Sequence, residues 1–229
     1  MDKPAKDLYG MDPSRPEDYR SMSLDAIRRR WDRKADRWDA DLAGADCHLN
    51  EDGAYTRFLE TASALVADRA EFCRRHRLVD LACGTGLVLA RFIEQFAEGL
   101  GLDLSPRMLA VAARRHLPRT RFQEGNGFEL ARFVAEAGAV LSRGVLLSHY
   151  GERWAPVLFR EIRRVLVPGG FALLDFLNAE ARRLFPSNPD NKTYFAPEVM
   201  ESLGKQAGFG GSRVLGGQAH RVRMILLEP

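Results

Sequence analysis

The chain of 229 residues is short of several things, and each shortage removes a class of protein. Cysteine is scarce: Cys47, Cys73 and Cys83 stand without paired spacing, which argues against a disulfide framework or a metal site and for a reducing compartment. No apolar run approaches the roughly 20 residues that cross a bilayer. Met1-Asp2-Lys3-Pro4 does not open a secretory leader, so a cytoplasmic location and no membrane partner are expected. Charge of one sign is not in excess either. The basic residues are nearly all arginine, but a net charge of +3 does not by itself indicate a nucleic-acid partner. Repeats and low-complexity tracts are missing. What remains is an ordinary globular composition, 45% hydrophobic and 28% charged, enough for one sizeable domain and a small appendage.

Glycine is informative through its placement. Val79 to Ala82 is an apolar run broken by Asp80, as suits a buried parallel strand. Gly84-Thr85-Gly86 ends it, and Leu87 to Phe96 reads as a helix with its apolar face at Leu87, Ala90, Phe92, Ile93 and Phe96. Strand, glycine turn and helix in succession make a nucleotide-type site, because glycine lets backbone approach a ligand and the helix start offers unpaired N–H groups. A packing unit without a ligand has the same appearance, so a second element is needed. Gly101 to Leu104 supplies it: another strand with an acid, Asp103, at its end, then a proline-started helix from Arg107 to about His116. An acid at the tip of the next strand can accept both hydroxyls of a ribose.

Correctly spaced as they are, the two strings resemble motifs I and II of the class I S-adenosylmethionine-dependent methyltransferases. Ala82 stands where the first glycine of motif I is usual, and Gly-Leu-Asp-Leu-Ser-Pro-Arg-Met-Leu puts Asp103 at the motif II position. The resemblance implies an α/β fold, a Rossmann-like doubly wound sheet of seven strands with the last antiparallel, under an N-terminal helical lid. It divides the chain into a tail and lid at 1–60 and a catalytic domain that binds S-adenosyl-L-methionine at 61–229. It implies cofactor contacts from Trp31, Asp80, Ala82, Gly84, Thr85, Gly86, Asp103, Leu104, Met108, Asn126, Gly127, Phe128 and Arg143, and no metal.

Around these motifs the chain reads in order. Residues 1–22 are polar and aperiodic, and Ser23 caps a helix from Leu24 to about Leu42. Its Trp31-to-Asp39 string is similar to the lid helix that precedes motif I in small-molecule methyltransferases. Trp31 and Trp38 share a helix face. Trp38 is expected to pack on the core; Trp31 either packs or lines the site, its π face toward the sulfonium. A second helix is expected from Ala54 to about His76, and a third strand from Arg119 to Glu124. Gly125-Asn126-Gly127-Phe128 then stands where the family has Gly-Asp-Ala. There the Asn126 amide oxygen would accept from the adenine amino group and Phe128 would cover a ring face. Ala139 to Arg143 resembles the fourth strand, Arg153 to Leu166 a helix, and Pro168-Gly169-Gly170 a turn into the fifth strand. Residues 177–196 are irregular and long enough to carry substrate contacts. Pro197 to Ala207 is a helix, followed by strands at Arg213–Leu215 and Arg221–Leu227.

Methyl transfer from a sulfonium is an in-line displacement, so the protein must bring the acceptor close and, for some acceptors, remove a proton. His149, just past the fourth strand, is the candidate base, with a surface histidine as the alternative. Tyr150 either orients the acceptor or closes the pocket, and Arg143 either holds an acidic acceptor or braces the loop. Ser142-Arg143-Gly144-Val145 is not the (D/N/S)-P-P-(Y/F/W) string of amino-directed nucleic-acid enzymes, and no Pro-Cys nucleophile is present. The expected reaction is O- or N-methylation of a small molecule, expected to be a secondary metabolite, by a monomer or homodimer that acts without nucleic acid. Two alternatives stay open. A nicotinamide-dependent oxidoreductase expects G-x-G-x-x-G, but Leu89 occupies the third position. A cyclase or binding module that keeps the cofactor fold would carry the same motifs.

Overall fold

The computed structural model describes residues 24–43, 53–150, 152–185 and 192–229. The expectations for residues 1–22, for most of the loop at 43–53 and for 186–191 lie outside the described residues. The strands are β1 (Arg77–Leu81), β2 (Glu98–Asp103), β3 (Thr120–Glu124), β4 (Ala137–Ser142), β5 (Leu166–Leu177), β6 (Gly211–Leu215) and β7 (Val222–Glu228). The helices are α1 (Leu24–Lys34), α2 (Trp38–Ala43), α3 (Ala54–Asp68), α4 (Ala70–Cys73), α5 (Leu87–Phe92), α6 (Pro106–Ala113), α7 (Ala155–Val165) and α8 (Pro197–Gln206). None of these helices is long and apolar enough to cross a membrane.

The sheet order is β3-β2-β1-β4-β5-β7-β6. Strands β1 to β5 pair in parallel, and β7 runs antiparallel to both of its neighbours. This is the expected α/β sheet. Alternation along β1 shows why both faces are covered: Val79 and Leu81 pack with Leu158 and Phe159 of α7, whereas Leu78 packs with Phe58 and Ala62 of α3 and Leu89 of α5. The chain leaves β1 toward β2 on one side and returns to β4 on the other. The crevice between those tips is the point where strand order reverses, the usual ligand position in open α/β sheets.

Three expected elements differ in detail. The lid helix is broken by a 3-10 turn at Ala35–Arg37, yet the Trp31 and Trp38 rings still meet edge to face at 5.2 Å. The helix expected over 54–76 breaks at Arg69, whose φ of −114° is outside the helical range. Its guanidinium turns to Glu228 on β7 at 2.6 Å and lies over the Phe171 ring. The Pro-Gly-Gly turn proves to be a bulge within β5, since Leu166 faces Ala137 and Phe171 faces Ala139. Gly170 is required there, because a Cβ would sit 2.8 Å from the Gly138 carbonyl oxygen.

Candidate active site

The first two strand tips are joined through Asp103. Gly84 N–H donates to its Oδ2 at 2.8 Å and Ser105 N–H to its Oδ1 at 2.9 Å. Ser105 in turn caps α6, its Oγ accepting from Met108 N–H at 3.1 Å. The glycine turn, the acid and the next helix start therefore form one unit. Each carboxylate oxygen keeps a further lone pair for a ligand. Gly86 stands apart from Gly84. It has φ +79°, and a Cβ there would stand 3.2 Å from Ala112 and the Phe122 ring. It makes room for α6 and β3 and lines neither cavity described below.

Over this unit lies a cavity of about 880 Å³ including its open mouth. It brings together most of the expected residues: Trp31, Asp80, Ala82, Gly84, Thr85, Asp103, Leu104, Met108, Arg143, His149 and Tyr150. Asn126, Gly127 and Phe128 line a smaller adjoining cavity of about 280 Å³, which shares Ala82, Asp103, Leu104 and Tyr150 with the first. The Asn126 amide oxygen accepts from Phe128 N–H at 3.1 Å, capping a 3-10 turn, and keeps a second lone pair. Phe128 is packed edge-on against Tyr150 at 4.8 Å.

Asp80 is the most unusual group in the wall. It is 1% exposed, and its Oδ2 has no hydrogen-bond partner among the described residues. Burial pushes its carboxyl up to about 8; the Asp103 charge adds to the rise and a backbone hydrogen bond from Leu89 opposes it. A buried acceptor left open beside a cavity is costly unless a ligand meets it.

The lid is fastened by three acids. Asp32 accepts from Ser105 Oγ at 2.6 Å and Arg107 N–H at 3.2 Å, and Asp36 pairs with the Arg107 guanidinium. Asp39 accepts from the Thr85 hydroxyl and pairs with Arg115, whose Nε donates to the Thr85 carbonyl at 2.6 Å. The closed lid brings Trp38 into the cavity wall, 3.6 Å from where a Gly84 Cβ would be. Trp38 was expected in the core. Its spacing fits either role, because the face a lid helix buries is also the face that covers a ligand.

The opposite wall follows β4. Asp175, inside β5, accepts from Gly144 N–H at 3.0 Å and Val145 N–H at 2.6 Å. Burial raises the Asp175 carboxyl, with Arg143 and these N–H groups acting against the rise. The anchor holds Val145 at φ +53°, a left-handed conformation uncommon for a β-branched residue. It thereby sets Arg143, Leu146, His149 and Tyr150 along the cavity. Arg143 lies over the Tyr55 ring at 4.4 Å. His149 stands edge-on to Trp31 at 6.4 Å, and its Nδ1 is hydrogen-bonded to Lys192 Nζ. Tyr55, Asp175 and Lys192 were missed in the sequence; none carries a local signal.

A glycine turn and an acid on adjoining tips of a parallel sheet, beneath a lid, define a Rossmann-like protein with a crevice at its switch point. Residues 78–170 match the family model described as "Methyltransferase domain". Relatives include a trans-aconitate 2-methyltransferase of Deinococcus radiodurans, 36% identical over 41% of this chain and 35% of the relative. A demethylmenaquinone methyltransferase of Chlorobaculum parvum is 29% identical over 70% of this chain and 63% of the relative. The chain thus spans about a third to two thirds of the length of these curated relatives. A magnesium protoporphyrin IX methyltransferase from Synechocystis, solved with bound S-adenosylmethionine, superposes with a TM-score of 0.66 over 90% of this chain and 97% of that one. At 15% identity that likeness is one of fold. Residues 78–170 thus carry a methyltransferase-domain match, and the fold around them is the one seen in that S-adenosylmethionine-bound structure.

Proposed function

We propose that this protein binds S-adenosylmethionine in the large cavity and methylates a small-molecule acceptor on oxygen or nitrogen. The observation that carries the reading is the buried, open Oδ2 of Asp80 in the same wall as the Gly84 turn and Asp103. The bound cofactor supplies a reactive methyl carbon on a sulfonium. Asp80 would take its ammonium, Asp103 its ribose hydroxyls, and Arg143 its carboxylate or that of an acceptor. Trp31 and Trp38 offer π faces near the cationic sulfur. Asn126 and Phe128 in the smaller cavity would receive the adenine.

The protein's share of the chemistry is alignment and exclusion of water beneath the Asp32–Asp36–Asp39 lid. Support for a small acceptor, as opposed to nucleic acid, comes from relatives named for trans-aconitate and demethylmenaquinone. Calorimetry with S-adenosylmethionine, S-adenosylhomocysteine and NAD tests the cofactor; binding of NAD alone would overturn the reading. A search for products 14 mass units heavier in a small-molecule extract tests the transfer. Cofactor binding without any such product would favour a cyclase or binding module.

A further inference from the structure

Lys192 is only 8% exposed. Backbone pairing carries it to the site. Thr193 N–H donates to the Ser148 carbonyl at 3.0 Å, Ser148 Oγ accepts from Leu177 N–H at 2.8 Å, and Phe195 N–H donates to the Leu177 carbonyl at 2.9 Å. These bonds lock the residues beside Lys192 to the turn that bears His149, and Lys192 Nζ meets His149 Nδ1. An ammonium has three donors and no lone pair, so Nδ1 is the acceptor and the neutral ring carries its hydrogen on Nε2. The Nδ1 lone pair is thus engaged by Lys192, and Nε2–H is the ring's donor.

The charges of the wall divide accordingly. Asp80 and Asp103 belong to the β1 and β2 tips with the glycine turn, whereas past β4 the described lining is Arg143, Gly144, Leu146, His149 and Tyr150. That side holds a cation and donors. We infer that Lys192 is a positioning residue that keeps His149 a hydrogen-bond donor, and that the acceptor is a carboxylate. A carboxylic acid is already ionised near neutrality, so it needs no base. One of its oxygens accepts from His149 Nε2–H. An oxygen lone pair bonds to the methyl carbon as the carbon–sulfur bond breaks, and that electron pair leaves with the sulfur as a neutral thioether. The product is a methyl ester, no proton moves, and two opposite charges are neutralised. An ammonium acceptor would have to shed a proton beside Arg143 and Lys192.

This inference rests on the methyl-transfer reading, and two measurements test it on the full chain. Ring-nitrogen NMR of histidine-labelled protein with S-adenosylhomocysteine should show His149 protonated on Nε2, the signal being assigned by its loss in His149→Gln. Lys192→Met should give mixed tautomers, and Lys192→Arg, also donor-only, should restore the single form. A wild-type ring protonated on Nδ1 would overturn the positioning role. In the second measurement, methyl-tritiated S-adenosylmethionine is incubated with a small-molecule extract of the producing cells, and the products are treated with mild alkali. Label released as volatile methanol supports a carboxylate acceptor; alkali-stable label overturns it. Lys192→Met should slow the alkali-labile transfer roughly a hundredfold, with S-adenosylhomocysteine affinity retained and Lys192→Arg recovering most of the rate. Absence of S-adenosylhomocysteine binding would sink the methyl-transfer reading instead, while the tautomer result would stand.

Discussion

The two ends of the crevice are built in opposite ways. The acid end is made by consecutive strand tips: Asp80 before the glycine turn, and Asp103 bonded back to Gly84. The cationic end is assembled from distant parts of the chain, with Arg143 after β4, Tyr55 on α3 and Lys192 beyond β5. The first depends on burial, which leaves an acid wanting a partner. The second depends on anchors, above all Asp175, which holds a strained turn in place.

The sharpest way to break this contrast is to titrate the acid end. Burial sets Asp80 near 8, so between pH ~4 and ~8 the folded protein holds a proton that the unfolded chain has released. Stability contributed by this group therefore falls as pH rises through that window. Asp80→Asn should melt above wild type at pH 8 and by a smaller margin at pH 5. An ammonium ligand needs the ionised form, so S-adenosylhomocysteine affinity should drop roughly tenfold for each pH unit below 8. Calorimetry that finds a flat profile in wild type would remove Asp80 from the ligand's reach.

A smaller loss is expected at the neighbouring tip. Asp103→Ala should weaken S-adenosylhomocysteine by about 2 kcal/mol, near thirtyfold in Kd. Unchanged affinity would mean that β2 does not meet the ribose. Gly86→Ala sharpens the comparison differently, because the residue lies behind the cavity. It should cost about 1 kcal/mol in thermal stability and leave affinity within about twofold; the reverse pattern would return Gly86 to the ligand. The smallest effect belongs to the lid. Asp39 and Arg115 are partly exposed, so Asp39→Ala should speed S-adenosylhomocysteine release by less than about fivefold. That difference should shrink in high salt. Stopped-flow traces that do not respond to salt would show that Trp31 and Trp38 packing holds the lid.

Much of the acid end was legible in the sequence, because strand, turn and helix start are written within a few residues of one another. Asp80, Gly84, Asp103 and Met108 all reached the cavity. The packing role of Gly86 was not legible, because a glycine that spares a ligand and one that spares a neighbouring ring look the same. Trp38 was placed in the core for a similar reason. The β5 bulge was invisible, since Pro-Gly-Gly ends a connection or buckles a strand depending on what pairs beside it.

The chain's local periodicity and its glycine and proline placement determined the alternating strands and helices, their approximate limits and the carboxylates at the first two tips. These depend on backbone dihedrals and near neighbours alone. Only the tertiary structure decided that Lys192 meets His149, that Asp175 clamps the turn after β4 and that Asp80 is deprived of water. Such properties arise when separated segments are buried against one another, and desolvation has no address in a linear sequence.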